Sequence, residues 1–524
     1  MVDTLVSSDQ DIDRAMAALT RRRRTWTLAV ACMGVLLVIS SLVALNTALG
    51  DIATATGATQ SQLTWIVDSY TLVLACLLLP AGAIGDRYGR RGALLVGLVV
   101  FAVASAVPVI WSDPLYVIVA RGVAGAGAAF IMPATLSLIT SAYPRQERTK
   151  AVAIWAGMAG CGGVAGMLGS GVLLRFWPWQ SIFLGFAVVG LALFAATLTV
   201  GTSKDPEATP VDWVGAALIG GAVAVLVFGI LEAPARGWTH PVVLGGIVGG
   251  VLLTLLFGVV ELRRRHPLLD VRLFRVPDFA TGSAAITVMF MAMFGFFFLL
   301  MQFIQLVLGY SALGTALAIS PLVFPLMVLS TLSSWYLPKF GLRAVVLCGM
   351  LLLAAGLLSM RLVHLDSSYW DLAWPLLTVS TGIGLFTAPT SSAIMTAVPD
   401  DKQGVASAVN DTTREVGAAL GIALAGSMLA AQYAKRIAPA LPSFPMPVRD
   451  AASGSLAEAL EVARRLGPQG APIADAARLA FLGAFQSSML ALAVVVVIAA
   501  VLITMWAPGR SGEQFGFVKR LVKS

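Results

Sequence analysis

Polarity along the chain varies on a long period. Apolar stretches of roughly twenty residues, the length a helix needs to cross the hydrocarbon of a bilayer, follow one another from residue 26 almost to the C-terminus, separated by polar turns that are mostly short. The pattern predicts about fourteen spanning helices. The first six fall at 26–49, 62–84, 92–112, 115–137, 149–173 and 178–200, and two more at 212–231 and 242–262. The last six fall at 277–307, 312–336, 344–363, 370–396, 403–430 and 480–506. The expected fold is an all-α polytopic membrane protein of six, two and six helices. Its parts are an N-terminal tail (1–25), a first six-helix half (26–200), a central two-helix insert (201–266), a second six-helix half (267–506) and a C-terminal tail (507–524).

The turns are not equivalent. Arginines crowd Arg21 to Arg24, Arg87 to Arg91 and Arg263 to Arg275, on turns of one parity, while the short turns between them nearly lack basic residues. Cationic residues stay on the cytoplasmic side during insertion, so both termini are expected in the cytoplasm. The Arg21–Arg24 run reads as a cytoplasmic anchor, because the apolar run after it is too long for a cleavable signal peptide. One outer loop is long, 431–479, and carries Pro439, Pro442, Pro445 and Pro447 followed by SLAEALEVARRL. The amphipathic period of that segment predicts a partly helical cap over the outer face.

Composition narrows the class. With 58% hydrophobic and 12% charged residues among 524 and a mean hydropathy of +0.87, the chain lacks the polar surface of a soluble domain. The formal charge of +8 is an orientation signal between spans rather than a basic stripe for nucleic acid. Cys32, Cys76, Cys161 and Cys348 lie inside apolar runs without metal-ligand spacing and read as small core residues. His240, His266 and His364 fall at span edges or in loops, which argues against a histidine proton relay at the midplane. No phosphate-binding G-x-x-x-x-G-K-[ST] loop occurs, so movement of a solute would draw on a gradient or a partner. Neither a metal cluster nor a nucleophile–base pair marks an enzyme, and no cofactor is expected.

The turn after the second run reads GAIGDRYGRR. Its glycines permit close approach of two helices and its arginines anchor at the interface. Through Gly82, Gly85, Asp86, Arg87, Gly89, Arg90 and Arg91 it resembles the G-x-L-A-D-R-x-G-R-[KR] loop between the second and third helices of the major facilitator superfamily. The resemblance covers essentially the whole chain, and fourteen helices are similar to the drug:proton antiporter-2 type. WIVDSYTLVLA (65–75), QLVLGYSALGTALAISP (305–321, with Ala316 where glycine is common) and the stretch 382–417 resemble the same branch, which exports quaternary ammonium compounds and other drugs. The resemblance implies the major facilitator fold and alternating access about a midplane site between two halves. It also implies an amphipathic small-molecule substrate, exchange with protons, and a monomer in the plasma membrane of a prokaryote, working in the lipid bilayer without nucleic acid. Gly82, Gly85, Asp86, Arg87, Gly89 and Arg90, with Gly162 and Gly166, would form the conformational switch.

Asp68 lies inside a span, where a carboxylate costs several kcal/mol and usually meets a cavity or a partner; it is read as a proton carrier, against a permanent ion pair or a residue at the lip. Arg121 lies at the same depth, counted at the helical rise, and is its obvious partner. VARGVAGAG resembles the family's R-x-x-Q-G motif at Arg121 and Gly125, with Ala124 in place of glutamine. SSLVALNTALG resembles L-D-x-T-x-x-N-x-A-L-P but has Ser41 at the acid and Gly50 at the proline, keeping Asn46. GMAGCGGVAGMLGSG resembles G-x-x-x-G-P-x-x-G-G with Met167 at the proline; it reads first as a helix-packing seam. Asp411, Arg414 and Glu415 share one helical face, as an interfacial ion network or, for Glu415, as a second proton- or cation-attracting acid. Asp212 and Glu232 read as interface residues. The ninth span is rich in methionine and phenylalanine, which suit ligands of varied shape; lipid-facing packing accounts for such residues equally well. The substrate pocket is therefore drawn as Ser41, Asn46, Trp65, Tyr70, Phe290, Phe294, Met301, Gln302 and Gln305, with Asp68, Arg121 and Glu415 coupling protons.

The leading reading is export of amphipathic, cationic compounds by proton antiport. Two others stay open: a carrier of lipid, siderophore or another endogenous metabolite with weak or no coupling, favoured by Ser41 and Met167, and a non-transporting membrane receptor, disfavoured by the lack of a soluble output domain.

Overall fold

The computed structural model of the chain describes all residues except Met1, Thr59, 202–211, 265–266, 400–402, Ser443 and 510–524. For residues 2–20 and a few others, Asn46 and Arg145 among them, it describes the backbone alone. His266 and most of the expected C-terminal tail thus lie outside the described residues.

The described chain is helical, with no strand among the described residues. Its helices are α1 (Val2–Ala44), α2 (Leu49–Thr56), α3 (Gln60–Tyr88), α4 (Arg90–Ile110), α5 (Pro114–Ala142), α6 (Arg145–Phe176) and α7 (Gln180–Thr197). The insert is α8 (Trp213–Arg236) and α9 (Pro241–Arg263). The rest are α10 (Pro277–Gln302), α11 (Ala312–Ile319), α12 (Val323–Ser359), α13 (Tyr369–Thr396), α14 (Gln403–Ile437), α15 (Met446–Gly454), α16 (Leu456–Arg465) and α17 (Ala471–Trp506). A sheath of exposed large apolar side chains, such as Val103, Leu191, Leu252, Leu255, Ile498 and Leu502, covers the flanks. In water so much apolar surface would drive aggregation; in a bilayer it is the lipid contact of a multi-pass membrane protein.

Among the described residues thirteen segments are long and apolar enough to span, one of them the 50-residue Leu313–Leu362. That segment contains a reversal. Before Gly341, Ser380 donates to the Leu322 carbonyl and Leu326 packs on Gly384; after it, Gly349 packs on Gly382 and Phe386, and Gly356 on Val379. The register therefore rises along α13 on one side of Gly341 and falls on the other, which makes α12 a hairpin and the spans fourteen. Gly341 sits at φ 76°, ψ 162°, where an L side chain is strained. Gly341→Ala is expected to cost about 1–2 kcal/mol, read as a lowered thermal midpoint in detergent; an unchanged midpoint would contradict the strain.

Three boundaries differ from expectation. α14 runs on to Ile437 and α17 begins at Ala471, so the long loop shrinks to 438–470 and holds α15 and α16. The extensions are stabilised by burial beyond the apolar runs: Tyr433, Ile437, Ile473 and Ala477 join Ala452, Leu456, Ala459 and Ala463 in one core. The first span also ends early, in a 3₁₀ turn at Leu45–Thr47 followed by α2. Thr47 donates to the Ala44 carbonyl and shares a hydrogen bond with Ser170 across to α6. Cys348 is exposed on the lipid side rather than buried, because its face of α12 has no neighbouring helix to cover it.

The two halves share one core at one end only. Apolar residues of α1 and α3 to α6 from the first half cluster there with Phe279, Ile286, Ala388, Ile394, Val405 and Val409 of the second. Toward the other end, the core of the second half and the cluster around Leu45, Ile66, Trp179 and Phe183 are separate. The insert wedges against this seam, α8 packing on both α3 and α14. Asp212 caps α8 and pairs with Arg264 at 3.4 Å, while the buried Glu261 accepts from Leu269 N at 3.1 Å, which ties the insert to the linker into α10. Asp212 thus serves as a helix cap, a local role for a residue the sequence leaves at the interface.

Candidate functional site

At the shared end, α3 breaks into α4 at Gly89, whose φ of 115° suits glycine. The break leaves Asp86 facing the second half. Asp86 Oδ1 accepts from Arg90 Nε at 2.9 Å and Oδ2 accepts from Val405 N at 3.1 Å. Val405 stands in the first turn of α14, so the carboxylate also meets the positive end of that helix. Gly82, Gly85 and Arg90 are buried around it, Arg87 lies over the Tyr88 ring at 5.3 Å, and Arg91 reaches the Leu198 carbonyl. A second bridge between the halves, Thr149 Oγ1 to Ser392 Oγ at 3.4 Å, lies at the same end.

Deeper in the first half, Arg121 is 2% exposed. Its Nε donates to the Ile66 carbonyl at 3.1 Å and Nη1 to Ser41 Oγ at 2.9 Å, and the guanidinium lies 4.1 Å from the Tyr70 ring centre. Tyr70 in turn donates to the Val38 carbonyl at 3.1 Å. The residue at the family's acid position thus accepts a hydrogen bond from Arg121 without neutralising it, and Arg121 Nη2 has no hydrogen-bond partner among the described residues.

Asp68 does not meet Arg121. The Tyr70 ring lies against the arginine, and a residue two positions away points to the other side of a helix. Trp65, one turn from Asp68, stacks on Phe228 of α8 at 6.1 Å, and the Glu232 carboxylate is within electrostatic reach of Asp68. Asp68 therefore faces the insert, and Glu232 pairs with Arg236.

In the second half, α14 carries a charge cluster into the seam. Asn410, Asp411, Arg414 and Glu415 are 0%, 0%, 2% and 5% exposed, so the cluster is enclosed by protein. Arg414 Nη1 lies 3.8 Å from Asp411 Oδ1, and Nη2 donates to Ser391 Oγ at 3.1 Å. The guanidinium also lies 4.9 Å from the Trp155 ring centre of α6 and 5.2 Å from that of Phe290. Asn410 Nδ2 donates to Asp411 at 3.1 Å. Glu415 is in electrostatic reach of Asp411, Arg414 and the Tyr70 hydroxyl, so Tyr70 stands between the Arg121 group and this cluster.

The expected pocket residues separate into groups. Ser41 and Tyr70 belong to the Arg121 group; Phe290 and Phe294 stack at 5.9 Å beside Arg414; Trp65 faces α8. Met301 and Gln302 are half-buried, Gln302 bonding its own helix at Phe298, and Gln305 is exposed in a π-helical turn that rotates it off the Phe290 face. The Asn46 side chain lies outside the described residues. Gly162 and Gly166 pack α6 on α1, where a Cβ would come 2.7 Å from Ile39 Cβ and 2.5 Å from the Ser40 carbonyl oxygen. Gly166 also borders an apolar cavity of about 280 Å³ between α1, α6 and α7, lined by Met33, Leu37 and Phe186. Trp155, Ser391 and Asn410 are site residues that the sequence reading passes over. Trp155 carried a signal: a bulky indole stands in a span otherwise rich in small residues that suit close helix packing.

A sequence profile of the Major Facilitator Superfamily matches residues 30–422. The multidrug efflux pump LfrA of Mycolicibacterium smegmatis is 31% identical over 92% of this chain and 96% of its own length. The methyl viologen resistance protein SmvA of Salmonella typhimurium is 29% identical over 88% of this chain and 93% of its own. The crystal structure of the human organic anion transporter MFSD10 superposes with a TM-score of 0.58 at 16% identity, covering 92% of this chain and 99% of the other. With the profile spanning most of its length and relatives matching it nearly end to end, this chain belongs to the Major Facilitator Superfamily.

Proposed function

We propose that this chain exports amphipathic organic cations across the plasma membrane of a prokaryote in exchange for protons, by alternating access, with both termini in the cytoplasm. The observation that carries this reading is the cluster on α14. Asp411 lies 3.8 Å from the Arg414 guanidinium, Glu415 is within electrostatic reach of both, and all three are buried. Within the cluster two carboxylates face one cation, the other buried cation, Arg121, lying beyond Tyr70, so a proton or a second cation close at hand would neutralise the excess negative charge. Proton and substrate then compete for the same charge, which is the requirement for antiport. The names of the relatives, multidrug efflux and methyl viologen resistance, support organic cations as the substrate class. Glu415 acts as the exchanging acid, Arg121 as the fixed charge of the first half, and Asp68 as a second proton carrier facing the insert.

Ethidium uptake into inverted vesicles tests this. Uptake is expected to require an inside-acid gradient and to fall by about tenfold or more in Glu415→Gln, the equivalent of one lost charge interaction; Asp68→Asn is expected to lose gradient dependence as well. Uptake indifferent to the gradient and to both substitutions would overturn the proposal. It would favour carriage of an uncharged, lipid-like metabolite, for which the apolar cavity beside Gly166 is the supporting feature.

A further inference from the structure

The Arg414 guanidinium sits on two aromatic faces while the carboxylate one turn away on its own helix stays at 3.8 Å, the limit of an ion pair. The groups around it have capacity to spare: Arg414 Nε, Asp411 Oδ2 and Asn410 Oδ1 are buried without hydrogen-bond partners among the described residues. The two rings belong to different halves, Trp155 to α6 and Phe290 to α10, and Phe294 extends the aromatic wall. Such a box suits a weakly hydrated, planar cation, whose desolvation is cheap and whose face can stack on a ring. A compact ammonium ion gains less there because its hydration is stronger.

We propose that the box bounded by Trp155, Phe290, Asp411 and Glu415 binds the cationic headgroup of the exported compound, and that Arg414 is its resident occupant when no compound is bound. An arriving cation takes the aromatic faces. Arg414 withdraws onto Asp411 and Asn410, whose free oxygens accept its hydrogens, and Glu415 is left to balance the newcomer. The charge count closes at two carboxylates and two cations. The substrate class is accordingly planar delocalised cations of the guanidinium, amidinium and pyridinium kind. This inference rests on the export reading above and names the headgroup subsite within it.

The test is equilibrium binding of ethidium to the purified full chain in detergent, without any gradient, followed by fluorescence anisotropy. Arg414→Gln vacates the box and is expected to bind ethidium about tenfold more tightly than wild type, the size of one desolvated cation–π competitor removed. Trp155→Leu is expected to weaken binding by a similar factor and Trp155→Phe to restore most of it. Guanidinium chloride at millimolar concentration should displace ethidium from Arg414→Gln, and ammonium chloride at the same ionic strength should not. A monodisperse Arg414→Gln protein that binds no more tightly than wild type overturns the proposal, as does ethidium that binds neither protein. Should Arg414→Gln aggregate, the leucine and phenylalanine variants decide: equal affinity in Trp155→Leu and wild type sinks the box. Wild type that pumps ethidium with the gradient while these variants bind unchanged removes the box alone. Wild type that binds ethidium but ignores the gradient removes the antiport reading and leaves the box standing.

Discussion

Gly125→Ala is expected to abolish transport and to destabilise the chain, while Gly122→Ala, one turn away in the same VARGVAGAG stretch, leaves both nearly unchanged. A Cβ on Gly125 would overlap the Tyr70 carbonyl oxygen and come within 3.1 Å of the Tyr70 Cα and carbonyl carbon. These are backbone atoms and cannot rotate away, so α5 and α3 must part. Overpacking of this kind costs about 1–3 kcal/mol, and the displacement falls on Tyr70, whose ring holds the Arg121 guanidinium at 4.1 Å. A Cβ on Gly122 would meet only Val73 Cγ2 at 3.6 Å, an ordinary contact. Thermal midpoints in detergent and ethidium uptake for the pair check this. Equal behaviour of the two variants would show that the α3–α5 approach at Tyr70 is not a constraint on the cycle.

Asp86→Ala has the second large effect. It removes the acceptor of Val405 N and the partner of Arg90, which is only 3% exposed. Losing a hydrogen bond to a charged group costs about 1.5–3 kcal/mol, and this carboxylate makes two of them at a buried site. Part of that cost falls on the arrangement closed at the Asp86 end, since the Val405 contact joins the two halves. The population is therefore expected to shift toward the arrangement open at that end, by up to two orders of magnitude for each 2.8 kcal/mol or so of differential loss. Distances between spin labels placed across the seam at this end should lengthen, and uptake should fall to about a tenth or less. Asp86→Asn keeps an acceptor for Val405 N without the charge and should fall between. Unchanged distances in Asp86→Ala would place the lock elsewhere, with Thr149 and Ser392 the next contact to remove.

The spans were legible because each must supply about twenty apolar residues for the bilayer, and that demand holds whatever a helix packs against. The break between the tenth and eleventh spans was legible for the same reason, and Gly341 falls within the turn the pattern leaves between 336 and 344. Helix phase was not legible. Counting along the spans placed Asp68 and Arg121 at one height, and Ile66 and Tyr70 at that height do contact the arginine. Height says nothing about the face presented, which depends on the position of α8, a helix 150 residues or so further along the chain. Glu415 could be picked out by its depth, whereas Trp155 and Ser391 acquire meaning only once α6 and α13 are brought beside α14. The extensions of α14 and α17 beyond the apolar runs escaped because their stabilising partners are each other and the cap, not lipid.

That cap has a practical consequence. Residues 438–470 lie at the end of the bundle opposite Asp86, and their buried side chains belong to the core of the second half. That packing fastens them to the second half. In a particle otherwise sheathed by detergent or lipid, α15 and α16 form a compact knob with a polar outer face, Arg464 and Arg465 paired with Glu461 on its surface. An antibody fragment raised against this knob would grip one half without touching the seam. It would serve as a rigid fiducial for single-particle imaging, with the first half free to move against it through the cycle.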